Sequence, residues 1–436
     1  MVSRCRIGVA ATLLAAVLIA LPITPAAAEP PTTVLYPTSA SATRLTGYAF
    51  DTCSAPPLAT MQAWKIASPY QGVGTYIGGV SRSCAQPNLT AAWVTATSLQ
   101  GWRIIPIYVG HQAPCTARPN ATKFASTTAG TLGTADAADA VLQAQALGML
   151  PGSAIYGDME HYSPTDAACR TVVLTYVSAW TKELHRLGYL AGLYANLSTG
   201  ARHLSEAYVA PAYARPDVLW MARWDGIATL TGWAGIPDAH WSNHQRGKQF
   251  RGDHDETYRG VKINIDSNRF DAPVATVGYA YQITSSANLN GRSGPMTSTL
   301  VVQSYPPGAT VGVVCQTVGT RIGTTPVWNK LTDGNYVSDY YVSTPSNTGY
   351  SAPLPRCTYP FQVTIPTLNK RTGPGPSYTI SGTVPAGALG WVTCQRAGSK
   401  VGTTSVWDKL DDGTYVSDFY IATASKTTYS QPLPRC

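Results

Sequence analysis

The stretch from Cys315 to Cys357 is written a second time, without a gap, from Cys394 to Cys436. "CQTVGTRIGTTPVWNKLTDGNYVSDYYVSTPSNTGYSAPLPRC" lies over "CQRAGSKVGTTSVWDKLDDGTYVSDFYIATASKTTYSQPLPRC", and well over half the positions are identical. The same offset of 79 (394 − 315) carries "LNGRSGP" from Leu289 onto "LNKRTGP" from Leu368. Repetition at a fixed period means two copies of one small unit. Each copy alternates in polarity and is rich in turns; "VWNKL-TDG-NYVSDYYV" reads as two strands around an Asp-Gly turn. The last third of the chain must therefore fold twice into the same small β domain. A barrel of that size buries little apolar surface. Both copies open and close on cysteines 42 apart (357 − 315 and 436 − 394), so Cys315–Cys357 and Cys394–Cys436 read as bridges, each adding about 2–4 kcal/mol. One bridge per copy marks each as self-contained, and removal of 358–436 is expected to leave the melting of the remainder almost unchanged.

The N-terminus carries Arg4 and Arg6, an apolar run from Ile7 to Ile23, and "TPAAAEP". That is the pattern of a secretory signal peptide over 1–28, cut after Ala28. No second apolar run is long enough to span a bilayer. The nine cysteines become eight without Cys5, an even number that in an exported chain reads as disulfides. Cys53, Cys84, Cys115 and Cys169 allow three pairings; proximity favours Cys53–Cys84 and Cys115–Cys169. Without residues 1–28 the formal charge is 29 − 23, or +6, with no Lys/Arg block of the kind that grips nucleic acid. The expected product is a secreted, extracellular or wall-associated monomer, with no nucleic-acid partner and no membrane insertion.

Between Thr46 and Asp271 apolar β-rich runs alternate with helical stretches. The runs are "GYAFD", "VGTYIGG", "WRIIPIYVG", "AIYGDME", "YLAGLYAN", "VLWMARW", "HWSNHQ" and "VKINIDSNRF". Amphipathic stretches, clearest at 138–147 and 171–187, lie between several of them. This alternation predicts a parallel sheet with helices outside, and eight strands suit a (β/α)8 TIM-like barrel. An open doubly wound sheet is the alternative, but no Gly-rich phosphate loop follows the first strand. A barrel works at its C-terminal strand ends. Asp51 closes the first run, Asp158 and Glu160 close the fourth, and Asp266 lies late in the eighth. Residues two apart on a strand share a face. Facing outward, Asp158 and Glu160 would be buried under helices without partners, at a cost; facing inward, they meet solvent and substrate.

"YAFDTC", "YGDMEHY", "LWMARW" and "IDSNRFD" resemble the glycoside-hydrolase-like domain of unknown function 1906, found in secreted actinobacterial proteins; "FDTCSAP" and "YVGHQAPC" add specificity. That family is similar to the family 25 lysozymes, barrel enzymes with a D-x-E motif on strand four. The resemblance implies Glu160 as general acid, Asp158 as second carboxylate, and Asp51 and Asp266 as flanking acids. The repeats resemble bacterial SH3-like domains, which implies wall binding through aromatics such as Trp328, Tyr341, Trp407 and Tyr420; core packing is the competing account of both tryptophans.

The resulting organisation is a signal peptide (1–28), a linker (29–45), a glycoside-hydrolase-like barrel (46–275) and two SH3-like domains (276–357 and 358–436). Tyr76, Tyr108, Tyr194 and Trp220 end strands where a sugar could stack, with core packing the alternative for each; the same holds for Trp224. Arg223 and Gln245 are candidates for binding substrate carboxylate or hydroxyl groups, and Arg223 equally for pairing with the acids. No cofactor is called for. "HDE" at His254 lacks a second histidine at metal-ligand spacing, so no metal is expected either. "RGD" at Arg251 and the sequons "NLT", "NAT" and "NLS" are short enough to arise by chance. The expected function is hydrolysis of peptidoglycan or a related wall glycan. Its rival is a non-catalytic wall-binding protein whose barrel mouth only recognises sugar.

Overall fold

The computed structural model describes residues 41–430 and 433–436. The expected signal peptide and most of the linker lie outside the described residues. A closed barrel runs in sequence order through β1 (Thr43–Asp51), β2 (Tyr70–Gly78), β3 (Arg103–Tyr108), β4 (Ala154–Met159), β5 (Leu190–Asn196), β6 (Val218–Ala222), β7 (Arg246–Tyr258) and β8 (Val261–Val274). Helices α1 (Leu58–Ala67), α2 (Ala91–Leu99), α3 (Ala129–Ala146), α4 (Ala167–Arg186) and the short α5 (Arg202–Glu206) link the first six strands. Among the described residues, no helix is long and apolar enough to cross a membrane.

The (β/α)8 expectation needs correction at the end of the barrel. No α-helix follows β6, and β8 runs antiparallel to both β7 and β1. Only Arg259 and Gly260 separate β7 from β8, both with positive φ (49° and 75°). Two such residues make a tight hairpin, whereas a parallel return needs a dozen or more.

Alternate residues on each strand face the barrel axis. Ala49, Ile107, Tyr156, Trp220 and Phe270 meet there in one buried cluster. Followed upward, the same parity brings Asp51, Asp158, Gln249 and Asp266 above the apolar filling. Outside, Trp180 of α4 and Ala137, Ala140 and Val141 of α3 join the buried layer over the sheet.

The repeats form two six-stranded sheets of one topology. In the first the order is β11 (Val301–Tyr305), β10 (Leu289–Arg292), β14 (Tyr336–Ser338), β13 (Thr325–Leu331), β12 (Thr310–Ile322) and β9 (Tyr279–Gln282). In the second it is β17 (Ile380–Pro385), β16 (Thr367–Arg371), β20 (Tyr415–Ser417), β19 (Thr404–Leu410), β18 (Leu389–Val401) and β15 (Tyr359–Gln362). Disulfides join Cys53 to Cys84, Cys115 to Cys169, Cys315 to Cys357 and Cys394 to Cys436.

The second copy is built into the barrel. Leu389 and Trp391 belong to the barrel's interior cluster, and Trp391 is fully buried. Its indole N–H donates to the Asn243 carbonyl at 2.9 Å, and the Arg44 guanidinium lies 4.7 Å from its ring centroid. Arg44 also pairs with Asp411, and Arg215 donates to the Gly387 carbonyl at 2.6 Å. This contact closes the end of the barrel opposite the acids.

Candidate active site

Asp51 and Asp266 are register partners across the antiparallel β1–β8 pair. Asp266 therefore reaches the mouth because β8 descends from it, not because the residue lies late in a rising strand. Beside Asp51 on β2 stands Gly74, where an added Cβ would sit 2.6 Å from the Cβ of Asp51. Glycine is what lets the acid fit against the neighbouring strand.

The Asp51 carboxylate accepts from Tyr76 (3.1 Å), Gln249 (3.1 Å) and Asn268 (2.8 Å). Burial, then the opposed Asp266, nonetheless push its pKa up to about 7. Asp266 is raised as well, mainly by burial, although the Asp253 backbone N–H donates to it at 2.6 Å. Asp158 is pushed up to about 6 by burial, with Arg118 pulling the other way. Its Oδ1 has no hydrogen-bond partner among the described residues. Glu160, one residue past β4, forms an ion pair with Arg118, and its side chain is 31% exposed. These four acids line one cavity of about 250 Å³.

Gln112 holds the two strand-four acids in register. Its side-chain amide donates to the Asp158 carbonyl (2.7 Å) and accepts from the Glu160 N–H (3.0 Å). The amide thus continues the sheet beyond the end of β3. The stretch "YVGHQAPC" contained this residue, but nothing in its spacing revealed the role.

Other expected site residues divide by strand parity and by strand end. Tyr76 and Tyr194 point inward at the mouth, and burial first, then nearby carboxylates, raise both phenols well above their usual value. Trp220 lies beneath the acids, buried, with its N–H on Asn268 at 3.0 Å. Tyr108 does not join them. It has the opposite parity to Ile105 and Ile107, and its hydroxyl donates to Asp139 of α3 at 2.7 Å. Gln245 is at the wrong end: β7 starts at Arg246, so Gln245 precedes the strand and bonds the Asp217 carbonyl and the Leu389 N–H. Arg223 is half exposed and pairs with Asp225 at 3.2 Å rather than with the acids.

A second cavity, of about 630 Å³, adjoins the first and shares Glu160 and Trp224 with it. Arg202, Arg223 and Tyr194 also line it. In the repeats, Trp328 and Trp407 are each 2% exposed, and each indole N–H is held by a backbone carbonyl at 2.8 Å. Tyr341 and Tyr420 are partly exposed, and Trp407 and Tyr420 line a cavity of about 350 Å³ with Arg371.

Residues 62–270 match the family model described as Rv2525c-like, glycoside hydrolase-like domain. The uncharacterized protein YraI of Bacillus subtilis (strain 168) is 32% identical over 90 residues, covering 19% of this chain and 76% of YraI. An uncharacterized B. stearothermophilus protein of solved structure aligns at 18% identity over 52% of this chain and 99% of its own, with a TM-score of 0.34. The Tat-secreted protein Rv2525c of Mycobacterium tuberculosis, solved with L-tartrate, aligns at 16% identity over 52% and 96%, with a TM-score of 0.36. The barrel is thus similar, over residues 62–270, to the Rv2525c-like, glycoside hydrolase-like domain, and the chain belongs to the family of YraI.

Proposed function

We propose that the chain is an exported, wall-associated glycoside hydrolase that cleaves peptidoglycan or a related wall glycan with its mouth carboxylates. The observation that carries this reading is the crowding of Asp51, Asp158, Glu160 and Asp266 in one cavity, with two of them shifted to about 6 and 7. Glycosidic cleavage needs a protonated carboxyl to donate to the leaving oxygen and an ionised one to stabilise the oxocarbenium-like centre. Burial supplies the first kind at Asp158, and the Arg118 ion pair supplies the second at Glu160. The motif resemblance assigns the donor to Glu160, which then requires substrate to draw Arg118 away. Four disulfides support an oxidising, extracellular setting. The repeats, read as SH3-like domains, would hold the enzyme on the wall through the faces around Tyr341 and Tyr420.

The test is the release of reducing ends from purified bacterial walls. Asp158→Asn and Glu160→Gln should each lower turnover by about 100-fold or more while wall binding persists. The variant whose residual activity loses the alkaline limb of the pH profile identifies the proton donor. A competing reading, a glycan-binding protein without turnover, draws on the closed Arg118–Glu160 pair. Walls that retain the wild-type protein but never yield reducing ends would establish it and end the hydrolase proposal.

A further inference from the structure

Gln249 is 2% exposed and lies on the inward face of β7. A side-chain amide has two donor hydrogens and an oxygen with two lone pairs, and here all four are used within the site. Nε2 donates to Asp51 Oδ2 and Asp266 Oδ2, both at 3.1 Å. Oε1 accepts from the Tyr194 hydroxyl at 2.9 Å and from the Trp224 indole N–H at 2.8 Å. An indole N–H can only donate, so the oxygen must face Trp224 and the nitrogen must face the acids. The amide has one orientation that satisfies its neighbours.

Trp224 is 62% exposed, an unusual position for a large ring. Its ring occupies the space that a side chain on Gly252 would need: an added Cβ there would lie 2.1 Å from the ring. It lines both cavities and stands with Glu160 on the boundary between them. An aromatic face presented to a groove beside polar groups is suited to the apolar face of a pyranose.

We propose that Gln249 is the positioning residue that couples the Asp51–Asp266 pair to Trp224, and that Trp224 is a stacking platform for a sugar adjacent to the one in the acid pocket. This rests on the glycan reading above and narrows the substrate class to a chain glycan occupying both cavities, with the reacting bond near Glu160. When the acid pair holds a proton, the Gln249 amide donates to one charge fewer. The strength with which it fixes Trp224 then follows the pair's protonation. The groups facing that pair are Tyr76 from β2, Asn268 from β8 and Gln249 from β7, with Asp158, Tyr194, Arg118, Asp253 and His254 around them.

Chitotetraose serves as the probe, with binding followed by calorimetry and the Asp51–Asp266 titration by carboxyl carbon NMR. Gln249→Leu and Trp224→Ala should each weaken binding by roughly tenfold, and the double variant should be little weaker than either single one, because both remove one coupled unit. Gln249→Leu should also move the carboxyl midpoint upward, since the pair loses two donors. Gln249→Glu keeps the acceptor for Trp224 and Tyr194; it should bind near wild-type strength at low pH while its carboxyl midpoint rises further. This variant also decides the matter if Gln249→Leu fails to fold. Additive losses, or a midpoint unmoved in both Gln249 variants, would overturn the coupling. Neither readout needs turnover: tight, Trp224-dependent binding without cleavage would end the hydrolase reading alone, whereas wall cleavage with an unmoved midpoint would end the coupling alone.

Discussion

Asp51 is held against its own preference for charge. Its pKa rises from 3.8 to about 7 because burial and the facing Asp266 outweigh three donated hydrogen bonds. The bound proton therefore stabilises the folded state fully below the unfolded value near 3.8, and that contribution is lost as pH rises through about 7. Asp51→Asn keeps the shape and removes the charge. Its melting temperature should equal wild type near pH 4 and exceed it above pH 7, by the equivalent of up to about 4 kcal/mol. Thermal melts across that range check it, and a variant less stable than wild type at pH 8 would refute the assigned cause. Asp158, raised to about 6 by burial, adds a decline of the same sign at slightly lower pH. Such a site lowers stability at neutral pH, because the carboxyls that keep their protons when buried must give them up or stay neutral there.

At the scale of an element, the two copies share a topology but not a buried network. In the first, Gln316 donates to Asn329 and Asp339, and the Asn329 amide donates to Asp339 at 2.9 Å. In the second, Asp408 replaces that asparagine, and Gln395 donates to Asp408 at 2.8 Å and to Asp418 at 2.9 Å. Both acids are fully buried, and burial, then Asp418, raises Asp408 well above the usual carboxylate range. Thr423 and Lys426 complete the surroundings; Lys426 donates to the Asp418 carbonyl at 2.9 Å. One proton on this pair takes the place of the asparagine N–H of the other copy. Its stabilising effect is complete below the unfolded value and disappears as pH climbs through the raised folded one. Asp408→Asn, which copies Asn329, should leave the melt near pH 4 nearly unchanged and decline less than wild type as pH rises from there. Parallel decline of variant and wild type as pH rises above the unfolded value would count against the shared proton.

At the scale of the whole molecule, the second copy supplies part of the barrel's core. Trp391 aligns with Gly312 of the first copy, Leu389 with Thr310, and Asp411 with Thr332. The copies therefore differ where the second one inserts. Self-contained modules would let the barrel melt unchanged without 358–436, but Trp391 and Leu389 lie in its interior cluster. Deleting 358–436 should instead lower the barrel's melting temperature markedly. Trp391→Ala should cost about 3–5 kcal/mol, as a large buried side chain does, and expose Asn243 and Gln245 to faster amide exchange. A truncated barrel with wild-type melting and exchange would show that the floor is sealed without the second copy.

The sequence by itself determined whatever depends on local pattern. The repeat offset, the late cysteine pairs, the strand-helix alternation and the two-residue spacing of Asp158 and Glu160 were all legible, because chain neighbours impose them. That Asp158 and Glu160 share a face followed from period two, and the cost of burying acids under helices set Asp158 inward. Gln245 was misplaced because the seventh run, "HWSNHQ", ends just before β7 begins at Arg246, so the end of that run lies at the floor and not at the mouth. Tyr108 was misplaced because a residue at a strand end can face either way, and only its parity against Ile105 and Ile107 decides. Tertiary structure alone decided the pairing of Asp51 with Asp266, the amide clamps of Gln112 and Gln249, and the seating of Trp391. Each joins residues far apart in the chain through hydrogen bonds or packing, and such contacts leave no period in the sequence to be read.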